Sequence, residues 1–512
     1  MLFNSYIFIF CFLPAALVVF YYLSAKNTRV AVVSLVLSSL FYYGWWNFNF
    51  VFLILFSIIF NFLVARWLQS FTGASRLRSL ALAGGIAVNL SLLGFYKYLG
   101  FFAGLMNAAG ASLSVPEIVL PIGISFFTFQ QIAFLADTHQ GLTRERDFIS
   151  YALFVTFFPQ LIAGPIVHHA EMLPQFKKRL GRSLDWRLLN VGLFVFVAGL
   201  TKKVWVADTL AVYADAAYDA AAANIVLTLA EAWAGTLAYT FQLYFDFSGY
   251  SDMAAGLALM FGIRLPINFF SPYKARSIID FWRRWHITLS RFLRDYLYIP
   301  LGGNRKGPAR RWVNLGLTMV LGGLWHGAAL NFIVWGALHG AYLAANHAWR
   351  LAVPRWGGGR LGSLVSWGGT FAAVVIAWVF FRAADMDTAV GVLGAMFGAE
   401  GFSVSGRLQG IAPVAAVGGD WLRFDGFFAN GLVDWRWGLA LVAGAGMLAV
   451  LGPNTMEVAR TYRPVLGLAE HGVVQSRLKW RPILGWAIVT GVLFGACVIK
   501  ISGDSPFLYF QF

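Results

Sequence analysis

Apolar stretches of membrane-spanning length recur along the whole sequence and restrict the chain to one structural class. A helix of about 20 apolar residues crosses a bilayer core of roughly 30 Å. Of the 512 residues, 59% are hydrophobic and only 12% are charged, whereas about 25% of the residues in an average soluble protein are charged. The sequence therefore predicts an all-α polytopic membrane protein.

We expect about 11–13 membrane segments, including re-entrant or broken helices. Candidate spans lie near residues 1–23, 30–46, 48–68, 79–102, 117–136, 149–167, 188–210, 225–262, 313–347, 364–382, 436–452 and 482–500. Because 225–262 and 313–347 are too long for one straight span, each could hold two helices or a span with a half-helix. The Ala-rich stretch 211–235 predicts a loop or a short helix.

The pattern divides the chain into three parts. Residues 1–395 form the predicted membrane core, residues 396–435 a Gly-rich loop outside the membrane, and residues 436–512 a set of C-terminal transmembrane helices. The only cysteines, Cys11 and Cys497, lie in apolar runs. They predict buried thiols rather than a disulfide.

Basic residues predict the orientation in the membrane. The chain has 39 Lys and Arg against 23 Asp and Glu, a net charge of +16. Basic flanks follow alternate spans, at Lys26, Arg29, Arg66, Arg76, Arg78, Arg144 and Arg146. The positive-inside rule places these loops in the cytoplasm and the N-terminus outside. Alternation would then put the basic run 177–179 outside, so we expect a re-entrant segment between 149 and 210. The charge is explained without a nucleic-acid partner.

One stretch concentrates the basic charge. Residues 274–311 contain ten Lys and Arg but only Asp280 and Asp295 as acids, a net charge of +8. The stretch also contains Trp, Phe and Tyr, so we expect an amphipathic segment at the cytoplasmic interface or dipping into a cavity. Its cations could bind a phosphorylated ligand. The alternative is anchoring to anionic lipid headgroups, which needs no ligand.

Two histidines are candidates for chemistry. His326 lies in a mostly apolar run between Gly323 and Gly327, and ionisable side chains in membrane segments are functional candidates by default. A neutral imidazole there could take a proton from a hydroxyl group, although a histidine that only packs between helices fits equally well. His286 lies in the basic, aromatic stretch, and together the two histidines indicate one site.

The remaining polar groups in apolar surroundings predict structural roles. We expect Asp246 and Asp252 to pair with buried Arg or His, and Gln130, Gln131 and Asp137 to hydrogen-bond between helices.

Four further histidines are not expected to act. Adjacent residues on a helix point apart, so His168 and His169 with Glu171 do not predict a metal site, and none is expected elsewhere. His339 and His347 are expected where their segment leaves the membrane.

Several sequence blocks resemble the membrane-bound O-acyltransferases, and most closely the bacterial branch that acetylates alginate and related exopolysaccharides. The blocks are FFPQLIAGPIVHHAEMLPQF (157–176), YFDFSGYSDMAAGLALMFGI (244–263), the stretch 268–307 that contains FWRRWH, LGGLWHGAALNFIVWGALHG (321–340) and FLYFQF (507–512). They run through most of the chain.

The resemblance implies a site, a fold and a donor. His326 would be the principal catalytic residue and His286 the second histidine of the family, inside a ring of helices with a cytoplasmic funnel. Acetyl-CoA would be the acyl donor, with no permanently bound cofactor. We assign Lys274, Arg283 and Arg284 to the CoA phosphates. Trp325 and Asp252 are further candidates for substrate binding.

The resemblance also implies a setting in the cell. The protein would lie in the bacterial inner membrane and pass acetyl groups to an exported polysaccharide, with help from separate esterase-like partner proteins. Sibling activities remain open, namely transfer of D-alanine to teichoic acid or of acetyl to peptidoglycan. From other classes, a transporter or polymer channel and a structural scaffold for a secretion complex are the alternatives.

Overall fold

The structure is a computed structural model. It describes the chain except residues 72, 74, 180–182, 354–358, 404–420, 424–434, 472–475, 502–504, 506 and 509–512. Most of the predicted loop 396–435 and of the block 507–512 therefore lies outside the described residues.

Helices make up nearly all of the described structure. The first half comprises α1 (Leu13–Ser24), α2 (Thr28–Gly44), α3 (Asn49–Ser70), α4 (Arg76–Leu93), α5 (Leu99–Ala108), α6 (Ile124–Gln140), α7 (Phe148–Thr156), α8 (Phe158–Leu161), α9 (His169–Arg179), α10 (Trp186–Thr201), α11 (Asp208–Ala222) and α12 (Leu229–Met260). The second half comprises α13 (Ile278–Trp282), α14 (Ile287–Leu293), α15 (Gly307–His326), α16 (Leu330–Ala352), α17 (Arg360–Arg382), α18 (Met386–Met396), α19 (Trp435–Val450), α20 (Thr455–Val458) and α21 (Leu484–Lys500).

Short irregular elements complete the chain. Wider π-helical turns lie at Ile7–Phe12, Gly94–Tyr98, Lys202–Ala207 and Arg294–Tyr298, and 3-10 turns at Pro272–Lys274, Arg460–Tyr462 and Leu468–His471. Two strands of two residues, β1 (Phe402–Ser403) and β2 (Leu422–Arg423), pair in parallel.

Five helical stretches in the described part of the chain are long and apolar enough to cross a membrane. They are Ile7–Ser24, Asn49–Ser70, Arg76–Ala108, Trp186–Ala222 and Arg360–Arg382. Four shorter apolar helices are Thr28–Gly44, Met386–Met396, Arg436–Val450 and Leu484–Lys500. The prediction of an all-α polytopic membrane protein is confirmed.

The two long apolar runs resolve differently. The run 313–347 holds two helices, α15 and α16, as one alternative predicted. The run 225–262 holds neither two helices nor a span with a half-helix, because α12 is a single helix of 32 residues. This helix starts at a capping box formed by Thr228 and Glu231. The stretch 211–235 is likewise mostly helical, and only a short turn separates α11 from α12.

The predicted span 149–167 is wrong, because the chain breaks within it. Helix α7 ends at Thr156, the backbone of Phe157 leaves the helical region with φ −48° and ψ 104°, and α8 has only four residues. Pro159 and Pro165 favour such breaks, since proline has no backbone donor. Residues 150–167 are nevertheless all buried. A broken segment surrounded by protein fits the re-entrant element expected between 149 and 210.

Close glycine contacts hold two helix pairs together. A Cβ on Gly199 of α10 would lie 2.5 Å from the carbonyl oxygen of Gly249 on α12. A Cβ on Gly323 of α15 would lie 2.1 Å from the carbonyl oxygen of Phe332, and one on Gly336 of α16 would lie 2.3 Å from that of Met319. Small residues let membrane helices approach closely, and the second pair positions the end of α15.

The C-terminal residues pack against the N-terminus. The Tyr6 hydroxyl donates to the carbonyls of Val498 and Ile501, and Asn4 donates to the carbonyl of Ser505. Phe507 is buried in the same apolar core as the first residues of the chain. The C-terminal segment is thus part of the core packing.

Candidate active site

His326 is the last residue of α15 and lies in an aromatic enclosure. Its side chain is 5% exposed. Its ring centre lies 5.0 Å from that of Trp325, 5.2 Å from that of Trp335 and 5.3 Å from that of Phe381. Gly327, which follows, is extended, and α16 begins three residues later. The histidine therefore sits where two packed helices meet.

The π-helical turn between α4 and α5 caps the end of α15. The Lys97 Nζ donates to the carbonyl oxygens of Trp325 at 2.7 Å and His326 at 2.9 Å, and the Tyr98 hydroxyl donates to that of Leu324 at 2.9 Å. The last carbonyls of a helix lack partners within the helix, and a cation there is favourable. Lys97 was not predicted from the sequence. It differs from its neighbours there only as a lone cation within the run 79–102.

His286 lies beside His326 and is held in a fixed orientation. The two ring centres are 6.3 Å apart, and the side chain of His286 is fully buried. Its Nδ1 lies 3.1 Å from Asn268 Oδ1, whereas its Nε2 has no hydrogen-bond partner among the described residues.

The backbone of His286 is in the left-handed region, with φ 42° and ψ 54°. A residue other than glycine takes this conformation at a cost of order 1–3 kcal/mol, which the surrounding structure must offset, and such residues cluster at functional sites. The structure thus brings together the two histidines that the sequence singled out.

A third histidine, His339, completes the enclosure. It is fully buried, its ring centre lies 4.8 Å from that of Trp335, and its Nδ1 accepts from Trp282 Nε1 at 3.3 Å. The expectation that His339 lies where its segment leaves the membrane is wrong, because α16 continues to Ala352 and places His339 near its middle. His347, about two turns further on, contacts Arg311 at 2.9 Å.

The residues predicted to bind substrate are not all brought to the histidines. Trp325 is buried and packs against His326. Lys274 donates to the carbonyl of Gly452 at 2.6 Å, and Arg284 pairs with Asp280 at 2.8 Å.

Arg283 is exposed. The aromatic part of this basic stretch is buried, notably Trp282 and Trp285. This part of the stretch therefore packs into the protein, whereas residues 304–310 are exposed.

The acids of α12 pair with lysines, not with Arg or His as predicted. Asp252 lies 2.6 Å from Lys202 Nζ, and Asp246 lies 2.6 Å from Lys203 Nζ. Both lysines come from the π-helical turn that follows α10, directly beside α12. Asp252 thus has a structural ion pair.

One group of side chains could hold a metal ion. Asp137, His168 and His169 place ligand atoms within 4.8 Å of one another. The prediction that these adjacent histidines point apart is wrong. His168 precedes α9, so only His169 is helical. Their ring centres are 4.4 Å apart.

Gln131 was predicted to hydrogen-bond between helices. Its side-chain amide on α6 donates to the Ser57 hydroxyl on α3 at 3.3 Å.

Comparison with known proteins identifies the family of the chain. Residues 139–381, which include all three enclosed histidines, match the membrane-bound O-acyltransferase family. The chain belongs to this family and is a multi-pass membrane protein.

The chain is similar to three kinds of protein. The chain is 46% identical to a peptidoglycan O-acetyltransferase of Helicobacter pylori over 79% of this chain and 81% of that protein. It is 39% identical to a probable alginate O-acetylase of Pseudomonas putida over the full length of both. A teichoic acid D-alanyltransferase of Bacillus subtilis is 29% identical over 43% of this chain and 56% of that protein.

Proposed function

We propose that the protein is an O-acyltransferase of the bacterial inner membrane that takes acetyl groups from cytoplasmic acetyl-CoA and passes them across the membrane to O-acetylate an exported polysaccharide. The observation that carries the proposal is the buried pair His326 and His286, whose ring centres lie 6.3 Å apart. The identity to two kinds of polysaccharide O-acetylating proteins supports the acyl group and the acceptor class.

The enclosed histidine supplies the base for acyl transfer. The His326 imidazole takes the proton of an acceptor hydroxyl, whose oxygen attacks the thioester carbonyl. The C–S bond breaks, and the sulfur of the departing CoA receives the proton from the imidazolium. A general base of this kind contributes about 10²–10⁴ in rate. His286, held by Asn268, offers its Nε2 as a second polar group beside the reacting atoms.

The two substrates would approach from opposite sides. A cavity of about 480 Å³ lies beside Lys97, Asn107 and Glu117. It is lined by the π-helical turn before α5, by α5 and by the loop after α5. The charge pattern predicts that this loop lies outside the cytoplasm. Since Lys97 also contacts the backbone of His326, this cavity is a route for the acceptor. The basic stretch 274–311, predicted on the cytoplasmic side, is the route for the CoA phosphates.

The relatives suggest two acceptors. Full-length similarity to probable alginate O-acetylases favours an alginate-like exopolysaccharide. The higher identity to a peptidoglycan O-acetyltransferase favours peptidoglycan as the alternative. In either case the acetyl group would reach the polymer through separate esterase-like partner proteins.

Transacylation in proteoliposomes tests the proposal. Purified protein would be supplied with labelled acetyl-CoA on one side and with the partner protein and either polymer on the other. We expect label to reach a polymer with the wild type and the rate to fall at least about 100-fold in His326→Ala, because the general base is lost. His139→Ala, which removes a histidine far along the sequence from the site, is the matched control.

The outcomes separate the alternatives. Unchanged transfer by His326→Ala would remove this histidine from the mechanism. Flux of polymer without acyl transfer in the wild type would establish a transporter or channel instead. Transfer of D-alanine but not of acetyl would move the protein to the sibling activity, and the preferred polymer distinguishes the two acceptors.

A further inference from the structure

A cluster of metal-ligating side chains lies apart from the enclosed histidines. Asp137 comes from α6, and His168 and His169 lie at the start of α9. His168 Nε2 is 2.7 Å and His169 Nδ1 is 3.3 Å from the same atom, Asp137 Oδ2. We propose that these three side chains bind a divalent transition-metal ion, for which Zn²⁺ is the probe, at a site distinct from the acyl-transfer site.

The ligand chemistry suits such an ion. Two imidazole nitrogens and one carboxylate oxygen are ligands that Zn²⁺ takes at about 2.0–2.2 Å. One ion can therefore bridge atoms up to about 4 Å apart, and both histidine nitrogens lie within that distance of Asp137 Oδ2, at 2.7 and 3.3 Å. The Tyr296 hydroxyl donates to Asp137 Oδ2 at 2.7 Å. A hydrogen bond of this kind orients a ligating carboxylate.

Burial provides an independent argument. His169 is 3% exposed, yet its Nδ1 makes no hydrogen bond within the described structure. Buried polar atoms nearly always have a partner. A hydrogen-bond network alone would leave this nitrogen unsatisfied and crowd two imidazoles and a hydroxyl around one carboxylate oxygen. A metal ion between the three ligands would give His169 Nδ1 the partner that it lacks.

An entry path is also present. His168 is partly exposed and lines a pocket of about 190 Å³ together with Glu171, Arg291 and Tyr296. If His168 binds the ion through Nε2, its ring proton lies on Nδ1. The Nδ1 atom then no longer accepts the 3.3 Å hydrogen bond from the Ala170 N–H. That contact is solvent-exposed, so its loss costs little.

The ion would stabilise the segment that supports His286. The Ile166 N–H donates to Thr288 Oγ1 at 3.0 Å, and that hydroxyl donates to Asn268 Oδ1 at 2.9 Å. The same amide oxygen contacts His286 Nδ1 at 3.1 Å. A metal ion at His168 therefore fixes the chain two residues after Ile166. Its role is structural and does not depend on the proposed acyl transfer.

Metal analysis of the full chain tests the site. The protein would be purified in detergent with a tag free of histidine, loaded with Zn²⁺, dialysed and measured by mass spectrometry for zinc per chain. We expect about one ion per chain for the wild type and for the control His139→Ala. His168→Gln and His169→Gln should each bind zinc at least about tenfold more weakly.

Thermal unfolding provides a second measurement. Zn²⁺ should raise the unfolding temperature of the wild type, because it binds only the folded site, and should raise that of His169→Gln much less. Co²⁺ bound at the site would give visible absorption that the variants lack. The proposal is overturned if wild type and His168→Gln retain equal zinc, or if zinc leaves the wild-type unfolding temperature unchanged.

Discussion

At the scale of single residues, the site depends on groups that orient His326 and His286 without reacting. Lys97 binds two carbonyls at the end of α15, and Asn268 binds the ring of His286. The sequence indicated both histidines, because an imidazole in an apolar run is unusual and because His286 lies in a stretch that is both basic and aromatic. Asn268 had no signal of its own, and Lys97 had only that of a lone cation in an apolar run, since their partners lie 18 and 228 residues away.

Replacing Lys97 with Met should lower the turnover rate about tenfold to 100-fold, because hydrogen bonds to a charged group contribute about 1.5–3 kcal/mol. As a positioning residue, Lys97 should affect kcat more than the KM for acetyl-CoA. The transacylation assay with varied donor concentration measures both constants.

Lys26→Met is the matched control. Lys26 lies in the turn after α1 and contacts the hydroxyl and ring of the exposed Tyr22, so the variant should leave both constants unchanged. A rise in KM with kcat intact would show that Lys97 serves the donor instead.

At the scale of elements, the pair α15–α16 determines where His326 lies. Gly323 and Gly336 bring the two backbones together just before the histidine. The sequence showed the glycines and predicted two helices as one possibility for this run. It did not show which glycines face the neighbouring helix, because that depends on the rotation of each helix about its axis.

Gly323→Ala should destabilise the protein and reduce acyl transfer. Its new Cβ would lie 2.1 Å from the carbonyl oxygen of Phe332, and overpacking of this kind costs about 1–3 kcal/mol. Gly316→Ala on the same helix meets no atom within 4 Å and should be neutral or stabilising, since alanine favours helix by about 1 kcal/mol. Thermal unfolding in detergent compares them, and equal midpoints would contradict the packing argument.

At the scale of the whole molecule, a buried ion network joins distant parts of the chain. Lys203 lies 2.6 Å from Asp246 on α12 and 2.8 Å from Asp208 at the start of α11. The Asp246 carboxylate also accepts from the backbone N–H of Leu508, and Asp208 accepts from Ser505. The C-terminal residues are thereby tied to the centre of the longest helix.

Lys203→Met should strongly destabilise the protein. Both Lys203 and Asp246 have side chains only 3% exposed, and removing one partner of a buried pair costs about 3–5 kcal/mol. The double variant Lys203→Met with Asp246→Leu should recover part of the loss, because the deeply buried Asp246 charge is removed together with its partner. The remaining carboxylate of Asp208 is 25% exposed and therefore reaches solvent. Unfolding temperatures of the three proteins measure this.

Arg294→Ala serves as the exposed control. It removes a pair whose arginine side chain is 61% exposed, and such pairs contribute about 0–1 kcal/mol. If Lys203→Met unfolds at the same temperature as Arg294→Ala, the network does not stabilise the fold.

The sequence by itself determined the membrane class and the helical fold, and it indicated the two histidines as candidates. Hydropathy, chain length and the residues around an imidazole are local properties of the sequence. The tertiary structure decided what depends on contacts between distant residues. It placed His339 against Trp335, which also packs on His326, turned His168 and His169 towards Asp137, and paired the acids of α12 with lysines of the turn after α10. Such contacts follow from helix rotation and crossing, which periodicity along one chain does not specify.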